Sequence, residues 1–182
     1  MKFIKSPLEG EVYVIEIEEV HDHRGFFART VCEDEFRLFG LNHSFVQQSI
    51  SFNPEEGTLR GMHWQAPPYA EEKLVRVTRG AIFDVVVDIN PKSKTFKRSF
   101  SVELSQDNRR QIYIPPGYAH GFQTLEPNTE VHYEMATKYR PDASLGFAWN
   151  DPTIGIDWPI RDQIIIGQKD SGFSNLDELE LG

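Results

Sequence analysis

Between residues 73 and 139 the chain reads as a succession of short alternating runs, each stopped by a turn. KLVRVTR (73–79) ends at Gly80, IFDVVVDI (82–89) at Asn90-Pro91, and RSFSVEL (98–104) at SQDN. RQIYI (110–114) ends at Pro115-Pro116-Gly117, and TEVHYEMATKY (129–139) stops before Pro141. EVYVIEI (11–17) has the same character upstream. Runs of β-branched and aromatic residues at this spacing, with Gly, Pro and Asn between them, predict an all-β sandwich or barrel. No helical pattern separates the runs, which argues against a parallel α/β sheet. One early helix is predicted over 33–39 (EDEFRLF), closed by Gly40. The C-terminal part predicts loops and a short helix packed on the sheet, and the acidic tail 177–182 predicts disorder.

The chain has 182 residues and a mass of 21.0 kDa, which predicts a single domain over 1–182. A folded surface of roughly 9,000 Å² follows from that mass, so a core without disulfide or metal staples is possible. With 28 acids against 19 bases the net charge is −9, which disfavours nucleic acid and anionic membranes as partners. A phosphate-bearing ligand is still open, because it needs only a local cluster of Arg and Lys. The single cysteine, Cys32, cannot form an intrachain disulfide and fits a reducing cytosol. MKFIKSPLEGEVYVIEI lacks the apolar run of a signal peptide, and no stretch approaches the ~18 apolar residues of a membrane span. The expected location is the cytoplasm.

Strand parity sorts the faces. Phe83, Val85, Val87 and Ile89 share one face of their run, while Asp84, Val86 and Asp88 share the other. In 129–139, Val131, Tyr133, Met135, Thr137 and Tyr139 share a face, and His132 points away from it. If Val131 and Met135 mark the interior, both tyrosines look into it.

No Walker loop, GxGxxG, CxxC pair or GxSxG is present, so phosphoryl transfer, dinucleotide redox and serine hydrolysis lack their usual supports. Chemistry falls instead on a few side chains. His120 lies in PPGYAHGF (115–122), which resembles the second motif of the cupin barrels, and His63 lies in LRGMHWQ (59–65), where the first motif would place a His-x-His metal pair. Here the second member is Gln65. A zinc or iron site wants three or more converging His or carboxylate ligands, so a metal-free pocket is the better reading. If Arg60 and His63 both face that pocket, their odd spacing demands a bend near Gly61. Each candidate also has a plainer role: Tyr133 and Tyr139 as core rings, Lys73 as a solvated strand start after Glu71 and Glu72, Arg60 as the partner of a surface acid. His21, His23, His43 and His132 are read as structural.

GTLRGMHWQ (57–65), KLVRVTRGAIFDVVVDI (73–89), FKRSFSVELSQDNRRQIYIPPGYAHGFQTL (96–125) and WNDPTIGIDWP (149–159), with HDHRGFF (21–27) and FVQ (45–47) upstream, resemble the dTDP-4-dehydrorhamnose 3,5-epimerase family in collinear order. The resemblance implies a cupin-type jelly roll, a homodimer, no cofactor and no metal. It implies inversion of C3 and C5 in a nucleotide-linked 4-keto-6-deoxyhexose. Matched residue by residue, it implies that His63 is the base, Asp170 the carboxylate that orients it, and Tyr133 the acid across the ring. Lys73 is implied as a substrate contact. Arg24, Gln47, Arg60, His120 and Lys169 are implied around the diphosphate and sugar, and Tyr139 as a ring that stacks on the base.

The residue types suit that chemistry. C3 and C5 flank the C4 ketone, so their protons are acidified by enolate formation. Histidine is an efficient base near neutral pH, and a carboxylate on its other ring nitrogen fixes the tautomer. The enolate oxygen wants donors such as Lys73 or His120. Three stretches depart from the family pattern: Arg29 replaces a glutamate, Gln48-Ser49 replaces Asp-Asn, and Ser144 replaces a glutamate. All three belong to the nucleotide or phosphate side, which leaves the nucleotide open; Ser49 stays a candidate contact. Two rivals come from other classes. A metallo-cupin enzyme would be distinguished by metal analysis, and Gln65 counts against it. A non-catalytic sugar-nucleotide binder would bind without isotope exchange, and the combined His63, Asp170 and Tyr133 set counts against that.

Overall fold

A computed structural model describes residues 1–179. The elements run β1 (Lys2–Lys5), β2 (Tyr13–Glu16), β3 (Val20–Asp22), β4 (Gly25–Phe27), α1 (Glu33–Leu38), β5 (Gln47–Asn53), β6 (Thr58–Gln65) and β7 (Lys73–Arg79). They continue with β8 (Ala81–Asp88), β9 (Ser99–Ser105), β10 (Gln111–Ile114), β11 (Tyr118–Thr124), β12 (Thr129–Met135), β13 (Ser144–Gly146), β14 (Ile165–Ile166) and α2 (Gln168–Ser171). A 3-10 turn at Leu176–Glu178 follows.

Two sheets form a cupin-type sandwich. The first has the order β1-β2-β10-β7-β12-β5, and the second β13-β6-β11-β8-β9 with β14 added beside β6. The hairpin β3-β4 stands apart from both. The parity reading holds: Val75, Val77, Ile112, Ile114 and Val131 of the first sheet meet Ile82, Val86, Leu104 and Phe122 of the second in one buried cluster. Phe83, Val85, Val87 and Ile89 point out of the sandwich and are covered by the C-terminal segment through Phe147, Trp158 and Leu176. On the outer face of the first sheet, Phe36 of α1 and Leu41 cover Tyr13, Ile15, Leu74 and Tyr113. Gly40 closes α1 at φ +69, a conformation that suits a residue without a Cβ.

Strands β7 to β10 fall within a residue or so of expectation. The run 129–139 ends earlier, at Met135, because Thr137 turns out of the ladder and donates to the Ala70 carbonyl. The expectation of a disordered tail from 177 is corrected. Leu176 is buried, Leu179 packs on the same cluster, and Asp177 pairs with Lys97. Residues 180–182 of that tail lie outside the described residues. Among the described residues, no helix is long and apolar enough to cross a membrane.

Candidate active site

The sandwich opens at one end into a cavity of about 890 Å³. The inner faces of β5, β6, β7, β11 and β12 and the α2 turn line it. Its volume is in the range of sites that take a whole cofactor-sized ligand.

The expected bend at Gly61 is present as a β-bulge. Register runs His120↔His63 and then Phe122↔Arg60, so Gly61 and Met62 together oppose Gly121. The extra residue turns both Arg60 and His63 into the cavity. Gly61 sits at φ +126, and a Cβ there would come within 2.6 Å of the Gly121 Cα. The position therefore takes only glycine.

The bulge also docks the carboxylate. Asp170, on α2, accepts the Gly61 backbone N–H at 3.0 Å, and its other oxygen lies 2.8 Å from a ring nitrogen of His63. The parallel pairing of β14 with β6 brings α2 alongside, so two segments more than a hundred residues apart in sequence meet at one dyad. Burial works against ionisation of Asp170, but the bonds from His63 and Gly61 and the nearby Lys169 outweigh it and hold the carboxyl below its ordinary value. The Phe173 ring stands edge-on to the His63 ring, in space that a Cβ on Gly146 would occupy.

Across the cavity, on the first sheet, stands Tyr133. Burial raises its phenol well above the ordinary tyrosine value, and the Asp84 charge adds to that while Arg60 opposes it. It is a protonated donor at neutral pH. Asp84 itself is fully buried and lies 2.7 Å from a ring nitrogen of His120. His120 in turn meets Tyr133 edge to face, with ring centroids 6.2 Å apart.

Lys73 forms an ion pair with Glu71 at 2.8 Å at the cavity wall. Arg60 donates from Nε to Asn53 at 2.8 Å. Gln47, Ser49, Ser51 and Asn53 make a polar row along the inner face of β5, and Gln47 accepts the Tyr139 backbone N–H at 3.0 Å. Lys169 donates to the Ser144 hydroxyl at 3.3 Å.

The structure thus brings His63, Tyr133, Asp170, Lys73, Gln47, Ser49, Arg60, His120, Tyr139 and Lys169 around one cavity. Arg24 is not among them. It sits at the tip of the β3-β4 hairpin, largely exposed, and pairs with Asp22 at 2.5 Å. Arg29 is likewise outside the cavity and pairs with Glu35. Sequence reasoning passed over Asp84, Glu71, Asn53 and Phe173. Only Asp84 carried a signal, as a carboxylate sharing a strand face with Val86. Gln65 is engaged by Tyr69, Glu71, Lys138 and Arg140. Among the described residues, no group of three or more His, Cys, Asp or Glu side chains is placed to hold a metal ion.

A cupin-type sandwich whose cavity holds a histidine–carboxylate dyad, a buried phenol and several cations has the makings of an acid–base enzyme for an anionic, oxygen-rich substrate. The comparisons are specific. A profile described as dTDP-4-dehydrorhamnose 3,5-epimerase matches residues 6–178. The dTDP-4-dehydrorhamnose 3,5-epimerase of Sinorhizobium fredii is 41% identical over 179 residues, covering 98% of this chain and 92% of that one. Among solved structures, a dTDP-6-deoxy-D-glucose-3,5-epimerase of Legionella pneumophila in complex with dTDP-4-keto-L-rhamnose superimposes with a TM-score of 0.92. It is 34% identical and covers 98% of this chain and 94% of that one. The dTDP-4-dehydrorhamnose 3,5-epimerase of Bacillus anthracis, with TDP and PPi bound, gives a TM-score of 0.91 at 39% identity, covering 96% and 98%. The chain belongs to the dTDP-4-dehydrorhamnose 3,5-epimerase family, a family of isomerases.

Proposed function

We propose that the protein converts dTDP-4-dehydro-6-deoxy-D-glucose to dTDP-4-dehydro-L-rhamnose by inverting C3 and C5 in turn, without a cofactor. The observation that carries this reading is the placement of a base and a protonated phenol on opposite sheets, both facing one cavity. His63 removes the proton from the carbon beside the C4 ketone, and the electron pair moves to the ketone oxygen as an enolate. Asp170 holds the ring and stabilises the imidazolium. Tyr133 delivers its proton to the opposite face of the same carbon, which inverts it. The partly exposed His63 then releases its proton to solvent and the Tyr133 phenolate takes one up from water in the open cavity, which resets the pair before the second carbon reacts.

Lys73 and His120 supply the positive charge and donors that the enolate oxygen needs. Arg60 and Lys169 neutralise the diphosphate. Tyr139, steadied through its backbone by Gln47, stacks on the base, and Ser49 contacts the ligand from β5.

The assembly proposed is a cytoplasmic homodimer. Ile50 and Phe52 on the outer face of β5 and Val20, Phe26 and Phe27 on the hairpin are exposed. Beside them, Gln111, Arg76 and His132 form one cross-strand row, and each has a buried side-chain atom without a hydrogen-bond partner among the described residues. Half of this sheet face is covered by α1, and a second copy covering the other half would satisfy both features. Since Arg24 is outside its own cavity, any contact it makes with the diphosphate is made in the cavity of the second copy.

The test is proton NMR of dTDP-4-dehydro-6-deoxy-D-glucose incubated with the protein in deuterium oxide. Deuterium at both C3 and C5 is the expected result. Incorporation at one carbon alone would make the protein a mono-epimerase. No incorporation would contradict the reading for thymidine sugars and move the search to other nucleotides, with Arg29, Ser49 and Ser144 as the reason.

A further inference from the structure

Lys73 is a long side chain with considerable rotamer freedom, yet the proposed chemistry needs its ammonium at one place when the enolate forms. The structure supplies a restraint that the sequence pattern does not announce. Glu71 is nearly buried, and one of its oxygens takes the Lys73 ammonium at 2.8 Å. Its other oxygen accepts from the Gln65 amide at 3.2 Å. That amide group also donates to the Tyr69 carbonyl at 3.1 Å, while the Gln65 carbonyl oxygen accepts the Arg140 backbone N–H at 2.6 Å. Gln65 is itself buried, two residues beyond His63 on β6.

We propose that Gln65 and Glu71 form a clamp that presents Lys73 to the reacting sugar, with Glu71 as the positioning residue for that lysine. Three things follow from the geometry. The carboxylate occupies one N–H of the ammonium and leaves two for substrate. The entropy of fixing the lysine is lost on folding and not at the moment of reaction. The clamp also joins Lys73 to the segment bearing Tyr139, because Gln65 holds the Arg140 amide while Gln47 holds the adjacent Tyr139 amide. The lysine that meets the sugar and the ring that meets the base are thereby set at a fixed separation.

The inference rests on the epimerase reading above, and the experiment separates the two. Steady-state kinetics and deuterium incorporation are measured on dTDP-4-dehydro-6-deoxy-D-glucose for the wild type, Glu71→Ala, Glu71→Asp, Glu71→Gln, Lys73→Ala and the Glu71→Ala/Lys73→Ala double variant, with thermal melting of each. An inactive wild type would overturn the reading and this inference with it. With an active wild type, Glu71→Ala should lower kcat about 100-fold with KM within about threefold, the pattern of a misplaced group that acts in the transition state. Glu71→Asp, one methylene shorter, should fall about tenfold and guards against a misfolded alanine variant. Glu71→Gln should fall about tenfold, since its one amide oxygen can accept from Lys73 or from Gln65 but not from both. Glu71→Ala should add nothing to Lys73→Ala, because the clamp acts only through that lysine. Folded Glu71→Ala and Glu71→Asp variants with wild-type kcat would overturn the clamp. So would losses that multiply in the double variant.

Discussion

Two histidine–carboxylate pairs stand side by side in this cavity, and they are the same chemistry in different surroundings. His63 and His120 are register partners on β6 and β11, with carboxylate distances of 2.8 and 2.7 Å. The first pair is open to the cavity, with the His63 side chain 33% exposed and Asp170 12%. The second is sealed, at 5% for His120 and 0% for Asp84. Their carboxylates also differ in origin. Asp84 comes from the neighbouring strand β8, while Asp170 arrives on a one-turn helix from the far end of the chain. A pair that can reach both substrate and solvent is suited to moving protons. A pair closed to bulk solvent, with only the histidine ring at the cavity wall, is suited to holding a donor in place, here beside the Tyr133 phenol.

The comparison can be broken most severely at the open pair. His63→Ala should lower turnover by about 10³- to 10⁴-fold, the usual worth of a positioned base, with an unchanged circular dichroism spectrum. Near-normal turnover would remove His63 from the mechanism. Asp170→Asn should cost on the order of 10²- to 10³-fold in kcat by releasing the ring, with little change in melting temperature. At the sealed pair the balance should reverse. Asp84→Asn weakens a buried carboxylate–histidine hydrogen bond and should cost about 2–3 kcal/mol of stability in a denaturant titration. If Asp84→Asn left stability untouched, the assignment of Asp84 to structure would fail. Gly61→Ala strikes the bulge that serves both sides. It should cost roughly 2–3 kcal/mol through strain at positive φ and lose activity as well.

The smallest effect sharpens the contrast from outside the cavity. Burial and the Arg76 charge hold His132 below its ordinary value. Below about pH 6.5 the unfolded chain takes up a proton there that the folded chain refuses. Its neutral form therefore supports folding above that pH, and the support declines as pH falls toward the folded value. Stability measured from pH 7.5 to 5 should fall less steeply in His132→Asn than in the wild type. Identical slopes would count against the burial argument.

How far the sequence carries depends on what each strand faces. Strands β7 to β10 were legible because their inward residues are apolar and their ends are marked by Gly, Pro and Asn. Strands β5, β6 and β11 line the cavity with Gln, Ser, Arg and His, so the alternation that marks a half-buried strand is absent from them. The site residues were reached through motif resemblance, and the bulge through the odd spacing of Arg60 and His63. Glu71 and Asn53 gave no signal, since an acid before Lys73 and an Asn before a turn read equally well as surface. Arg24 was recognisable as a residue type in a motif, but its place outside its own cavity depends on where a hairpin is carried, which no local pattern encodes.

The central claim is that proton removal and proton return occur from opposite sheets, through His63 and Tyr133. Tyr133→Phe, followed by proton NMR in deuterium oxide, tests it most directly. The claim predicts that deuterium still enters beside the C4 ketone while the configuration at that carbon is retained. Loss of exchange together with inversion would place the tyrosine in the architecture of the site and contradict the account.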